Sequence, residues 1–293
     1  MRKLTYIVTR EREGAMVKGV LRGELHLSYT LMKRLKWCTG AILLNGAPAR
    51  VNAVVHEGDE VSVFLHEKHS ASLPEEPLPL DVVYEDEDLL VINKPAGVAM
   101  HPKCTANAAS DLASAVAAHL GEGYGVHFVN RLDKGTSGLL IAAKSGYVHN
   151  LLRRALHTDA LRREYRAVVV GTLAQKCGEI DLPIGRAENS IVRRTVCEDG
   201  LPSHTSYEVL AENGTYSLLR LIAHTGRTHQ LRVHMAAIGH PLAGDWLYGK
   251  EEAELIARPA LHSFAIHFNH PVNGEELGFN VPMPKDMEKL MKK

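Results

Sequence analysis

Residues 66–80, HEKHSASLPEEPLPL, interrupt the chain with proline, serine and charge, and carry neither helical nor strand periodicity. An element that buries an apolar face cannot run through such a stretch, so a domain boundary belongs there. This divides the chain into a small N-terminal unit over residues 1–66, a linker over 67–80 and one larger domain over 81–293. A total of 293 residues is enough for one substantial core plus an accessory unit.

The balance of 45% hydrophobic and 23% charged residues is that of a globular protein able to fold by itself. Met1 to Tyr6 lead into charged Arg10–Glu13 with no apolar signal-like run, and no later stretch approaches the roughly 18 apolar residues of a membrane span. A cytoplasmic location is expected. Cys38, Cys104, Cys177 and Cys197 are far apart with no Cys-x-x-Cys pair, which predicts reduced, mostly buried thiols rather than a zinc site or a disulfide framework. Lys plus Arg and Asp plus Glu each number 34, so the net charge is zero and any nucleic-acid site must be a local basic patch.

In the small unit, Leu31 to Val63 reads as a helix, a turn at Asn45-Gly46, a second turn at Glu57-Gly58-Asp59, and alternating Val61 and Val63. The order Lys33-Arg34, Leu43-Leu44-Asn45-Gly46, Gly58-Asp59-Glu60-Val61 is similar to the small RNA-binding domain of a ribosomal small-subunit protein. Read from the residues alone, a generic α/β cap with a solvated basic helix face fits as well.

Past the linker, strand and helix signals alternate without a fixed repeat. Asp88–Asn93 reads as a buried strand ending at the turn Lys94-Pro95-Ala96-Gly97, and Asp111–Leu120 as a helix with Ser110 as its cap and Gly121 beyond its end. Gly121–Gly125, GEGYG, follows a helix and so lacks the context of a dinucleotide fingerprint. The apolar runs Val126–Val129 and Leu139–Ala143 flank a polar loop, Asn130 to Gly138. Val148, Leu151, Leu152, Ala155 and Leu156 form the stripe of an amphipathic helix whose other face carries Arg153 and Arg154. Tyr165–Val170 and Leu218–Ile222 read as strands, and Thr228 as the cap of a helix carrying Leu231, His234, Met235 and Ile238 on one face and stopped by Gly239 and Pro241.

The loop is the chemical focus. Asp133 sits between Arg131 and Lys134 and precedes Gly135-Thr136-Ser137-Gly138, small residues that let backbone bend and approach a ligand. Nearby cations favour the charged, nucleophilic form of a carboxylate. Alone, an Asp-Lys-Gly stretch is more often an ordinary turn, so context decides.

That context is specific. Asn130-Arg131-Leu132-Asp133-Lys134-Gly135-Thr136-Ser137-Gly138-Leu139-Leu140 resembles the signature of RluA-type pseudouridine synthases. Three more segments agree in order: Val91–Gly97 with His101-Pro102, Glu164–Gly171, and Thr225–His234 continuing to Gly239-His240-Pro241 and Gly244-Asp245. The resemblance implies an α+β synthase fold, a mixed and mainly antiparallel sheet in two halves with a central cleft. It implies that Asp133 is the nucleophile, that Tyr165 stacks on the target base and moves a proton, and that Arg227 pairs with Asp133. It further implies that Arg131, Leu132, Gly135, Thr136, Ser137, Gly138, Thr228, His229, Gln230, Leu231 and Arg232 form the substrate pocket, with Leu231 near the base. Exchange of a C–N for a C–C glycosidic bond is redox-neutral, so neither metal nor cofactor is expected.

The partner implied is RNA, ribosomal or transfer, with no membrane and no nucleotide cofactor, acted on by a monomer. A uridine in folded RNA must be flipped from its stack, at a cost of a few kcal/mol met by backbone contacts. Leu151–Ala167 carries Arg153, Arg154, Arg162, Arg163 and Arg166 against Asp159 and Glu164, and Arg193-Arg194 adds a second cluster, all candidate phosphate contacts. His224, His229, His234 and His240 are spaced five, five and six, which does not put two imidazoles on one helix face and favours hydrogen-bonding and core roles over a metal-dependent hydrolase. His101 is expected to order a loop. Asn130 stands where this family usually has histidine and cannot carry a proton, a departure that bears on loop orientation or substrate preference. A non-catalytic RNA-binding or assembly protein on the same fold is the alternative, opposed by the joint presence of Asp133, Tyr165 and Arg227.

Overall fold

The computed structural model describes residues 2–65, 78–101, 111–121, 124–156, 158, 160–188, 190–251 and 254–292. The expected linker lies almost wholly outside the described residues, as do Pro102, Cys104, Ser110, Asp159 and two residues of the Gly121–Gly125 loop.

The small unit contains β1 (Arg2–Ile7), α1 (Val17–Gly23), α2 (Tyr29–Leu35), β2 (Ile42–Leu44), β3 (Ala47–Pro48) and β4 (Glu60–Leu65). Its antiparallel sheet runs β1-β4-β2-β3. Val61 and Val63 alternate inward and meet Val17, Val20 and Leu21 of α1 and Leu31, Met32 and Leu35 of α2 in a core of their own. Asn45 and Gly46 both take positive φ, 52° and 78°, as a two-residue hairpin demands. The expected helix begins slightly early, at Tyr29, because Ser28 accepts the Leu31 N–H at 3.1 Å. The unit touches the larger one through an ion pair between Arg2 and Asp88, a 3.1 Å hydrogen bond from Asn150 to the His26 carbonyl, and the packing of Tyr147.

The larger region follows as β5 (Val82–Glu85), β6 (Leu89–Lys94), α3 (Leu112–Leu120), β7 (His127–Phe128), β8 (Ser137–Ala143), α4 (Gly146–Ala155), β9 (Leu161–Val170) and β10 (Cys177–Asp181). Then come β11 (Ile184–Arg186), β12 (Arg194–Val196), β13 (His204–Glu212), β14 (Tyr216–Ala223), α5 (Gln230–Ala237), β15 (Leu261–Asn269), β16 (Glu276–Asn280) and α6 (Lys285–Met291). One ten-stranded sheet runs β10-β13-β14-β9-β15-β8-β6-β5, with β16 beside β15 and β7 beside β8, while β11 and β12 pair separately. Every pairing in the large sheet is antiparallel except that of β8 with β15, which meet at just His262↔Ser137 and Ser263↔Gly138. This seam joins the two expected halves.

Both faces of the sheet are covered, which explains why β6 and β8 read as unbroken apolar runs. Leu90 and Ile92 share a core with α3 and α5, whereas Leu89 and Val91 face α4. Asp111, not Ser110, caps α3, accepting from the Ser114 N–H at 3.0 Å, and Gly121 at φ 71° ends it. Thr228 does not cap α5: His229 holds the cap position in the left-handed region, φ 59°. The thiols also differ from expectation, since Cys38 behind α2 and Cys177 on the edge strand β10 are exposed and Cys197 is half-buried.

Packing is tightest at the seam. A Cβ on Gly138 would lie 2.2 Å from the Ser263 carbonyl oxygen and 2.7 Å from its amide nitrogen, at a φ of +105°. Beside it the Ser137 hydroxyl bonds His262 Nδ1 at 2.9 Å. Gly138→Ala is therefore expected to cost roughly 2–5 kcal/mol from overpacking and strain, lowering the thermal midpoint by about 5–10 °C or more.

Burial of His262 lowers its pKa from 6.5 to about 4. The unfolded chain binds this proton first, so the stability present above pH 6.5 is lost as pH falls towards 4. At about 1.4 kcal/mol per unit the loss is up to roughly 3 kcal/mol. Urea unfolding across this range is expected to show a flatter pH dependence for His262→Gln than for the wild type.

Candidate active site

The loop between β7 and β8 turns tightly, with the Thr136 N–H donating to the Asp133 carbonyl at 3.0 Å. Its base is tied to β8 by buried Asn130, whose Oδ1 accepts the Ile141 N–H at 2.9 Å. Two cations hold it from below. Lys94, fully buried, donates from Nζ to the carbonyls of Pro95 (2.9 Å), Val98 (3.0 Å) and Lys134 (3.3 Å). Burial pulls the Lys94 pKa down to about 8, against the opposing pull of Asp133. Arg258, locked to Asp286 at 2.7 and 2.8 Å, reaches the Gly135 carbonyl at 3.3 Å. The Asp133 carboxylate is thereby presented to a cavity of about 800 Å³ lined also by Phe128, Leu132, Tyr165, Leu231 and Leu261.

The group that meets Asp133 is Arg232, in the first turn of α5, with Nη1 3.1 Å from Oδ2. The other edges of this guanidinium are fixed by Asp245, Nε to Oδ2 at 2.7 Å and Nη2 to Oδ1 at 2.8 Å. Asp245 is fully buried and also receives the N–H groups of Leu247 and Tyr248 at 3.1 and 3.3 Å. Burial works against the Arg232 charge, but the two carboxylates outweigh it and raise its pKa. His229 Nε2 lies 3.8 Å from Asp133 Oδ2, and its Nδ1 is 2.8 Å from the Tyr248 hydroxyl, which accepts the Arg194 N–H at 2.9 Å. Burial lowers the pKa of His229. Burial also raises that of Tyr165, in β9, and keeps it a neutral phenol.

Arg227 does not meet Asp133. It precedes α5, lines the cavity, and donates from Nε to the Pro202 carbonyl at 3.1 Å. Gln230 is spent on protein: Oε1 accepts from Thr225 Oγ1 (2.7 Å) and the Arg227 N–H (3.0 Å), and Nε2 donates to the His204 carbonyl (2.9 Å) and Thr205 Oγ1 (3.0 Å). Arg131, Thr136, Thr228, His229 and Leu231 line the cavity. Ser137 and Gly138 do not, because they belong to the seam, and Gly135 lines a neighbouring hollow.

Strand alternation divides the arginines of β9, while Arg153 and Arg154 stand on α4. Arg153 and buried Arg163 line the cavity, Arg163 donating to the Ala223 carbonyl at 3.1 Å. Arg162 projects from the opposite face of β9, as does Arg166, which pairs with Glu164. Exposed Arg154 and Arg193 are outside the lining. Charge is nevertheless one-sided around the cavity: Arg131, Lys134, Arg153, Arg163, Arg227 and Arg232 against Asp133 among its described lining residues. Of the histidines, buried His234 bonds Thr205 Oγ1 and the Leu182 carbonyl, both at 2.9 Å, His240 lies 3.0 Å from the Val170 carbonyl, and His224 stacks on His204. His101 meets Phe128 edge-on at the cavity. Sequence reasoning missed Lys94 and Asp245 as parts of the site; the signal available was a charged residue inside an apolar strand and one closing the third matched segment.

Residues 88–237 match the RNA pseudouridylate synthase family. The chain is 42% identical over 274 residues to an uncharacterised RNA pseudouridine synthase of Bacillus subtilis, covering 92% of this chain and 96% of that one. It is 36% identical over 285 residues to the ribosomal large subunit pseudouridine synthase D of Vibrio cholerae, covering 91% and 87%. Among solved structures, human RNA pseudouridylate synthase domain containing 1 superposes with a TM-score of 0.59 at 28% identity, over 70% of this chain and 83% of that one. A family match over half the chain, and relatives this similar along most of their length, mean that the chain belongs to the RNA pseudouridylate synthase family.

Proposed function

We propose that this chain converts specific uridines of RNA to pseudouridine, with Asp133 as nucleophile and large-subunit ribosomal RNA as the substrate class. The observation that carries the reading is the Asp133 carboxylate held 3.1 Å from Arg232 in a cavity shared with Tyr165. Asp133 attacks C1′ as the N1–C1′ bond breaks, and departs as C5–C1′ forms. The proton lost from C5 ends on N1, so the exchange balances without an external oxidant or reductant. Tyr165 offers an aromatic face and a phenolic proton to the detached base, and Leu231 an apolar wall. Transfer RNA is the second substrate class, and the setting is a monomer in the cytoplasm. Among the described residues no helix is long and apolar enough to cross a membrane.

Asp133→Asn deletes the nucleophile while nearly preserving shape. Mapping pseudouridine in ribosomal RNA by chemical modification and primer extension is expected to show no product with this variant, while RNA affinity stays within severalfold. Turnover by the variant would overturn the mechanism, and wild-type binding without any product would favour the non-catalytic alternative.

The cavity-lining cations are proposed to meet phosphates. Each such contact adds about 0.7–0.9 to the slope of log affinity against log salt. Arg153→Ala is expected to flatten that slope by nearly one, and Arg162→Ala, on the opposite sheet face, to leave it unchanged.

A further inference from the structure

A second hollow of about 350 Å³ lies beside the first and shares Asp133, Lys134, His229 and Arg232 with it. The Asp133–Arg232 pair therefore borders both hollows. The far walls of the second chamber are mainly apolar, with Gly97, Val192, Trp246, Leu247, Ala257 and Pro259 beside half-buried Arg258 and exposed Lys134. Trp246 is 60% exposed, unusual for an indole at the tip of an ordered turn. That turn is anchored by buried Asp245, which receives the amides of both residues after Trp246 while gripping Arg232. The indole and the nucleophile's partner are thus positioned by one carboxylate.

We propose that this chamber is a stacking subsite for the base of a nucleotide adjoining the target uridine, with Trp246 as its platform. The inference rests on the RNA reading above. Continuity with the active-site cavity argues for the same polymer in both chambers, since extruding one nucleotide unstacks its neighbours and leaves an exposed π-face to be covered. An aromatic surface next to a cation is the arrangement that holds single-stranded nucleic acid with little regard to sequence. Val192 and Leu247 supply the apolar flanks, and Lys134 a charge for the linking phosphate.

The chain has two tryptophans, and Trp37→Phe leaves Trp246 as the sole indole reporter. Titrating this protein with decauridylate is expected to quench its emission, and titrating with a ribose-phosphate decamer lacking bases is expected not to. Trp246→Ala is expected to weaken decauridylate binding about ten-fold or more with an unchanged thermal midpoint, and Trp246→Phe to keep it within about three-fold. Equal responses to the two decamers, no response to either, or unchanged affinity in Trp246→Ala would overturn the subsite. Emission that follows protein concentration instead of RNA would assign the surface to contact between copies of the chain, which also overturns it. Pseudouridine formation by the wild-type protein, abolished by Asp133→Asn, is measured alongside, so that loss of the subsite alone is distinguished from loss of the functional reading.

Discussion

A guanidinium gripped through two of its nitrogens by a carboxylate that no solvent reaches is the constraint from which this site is built. Removing Asp245 and Arg232 from water is costly, and such a pair persists only when its hydrogen bonds are nearly all made. Asp245 fills two nitrogens of Arg232 and takes two backbone amides. One nitrogen is left, and it is aimed at Asp133. The start of α5, the turn after Gly244 and the loop before β8 must therefore keep their mutual positions, although they are far apart in sequence.

The same economy of charge runs through the surroundings. Buried Lys94 and half-buried Arg258 hold backbone carbonyls under the loop, so the placement of Asp133 does not depend on fully exposed residues. On the outer face of the sheet, Glu164 pairs with Arg166 and Arg220, and Glu208 with Arg220, cancelling cations that face away from the cavity. A chain without net charge thus keeps unmatched positive charge where a polyanion would enter.

Much of this was legible in the residues. The apolar runs of β6, β8 and β14 announced strands, the stripe from Val148 announced α4, and the four matched segments announced the synthase fold. What failed to show was tertiary. The resemblance implied Arg227 as the partner of Asp133, yet α5 begins at Gln230 and its first turn carries Arg232 to the loop. Counting arginines along residues 151–167 ignored the alternation that sends Arg162 and Arg163 to opposite faces. Ser137 and Gly138 looked like ligand-facing small residues, whereas their smallness serves the approach of β8 to β15. Local composition identifies which residues are special without saying which neighbour made them so.

The two-residue seam between β8 and β15 fixes where the Asp133 loop stands. The Asp133 loop runs directly into β8 and its junction with β15, while Trp246, Arg153 and Arg193 are exposed to solvent. Substitution at those exposed positions can change what the surface meets without displacing Asp133. One fixed carboxylate can in this way stand behind many different surfaces.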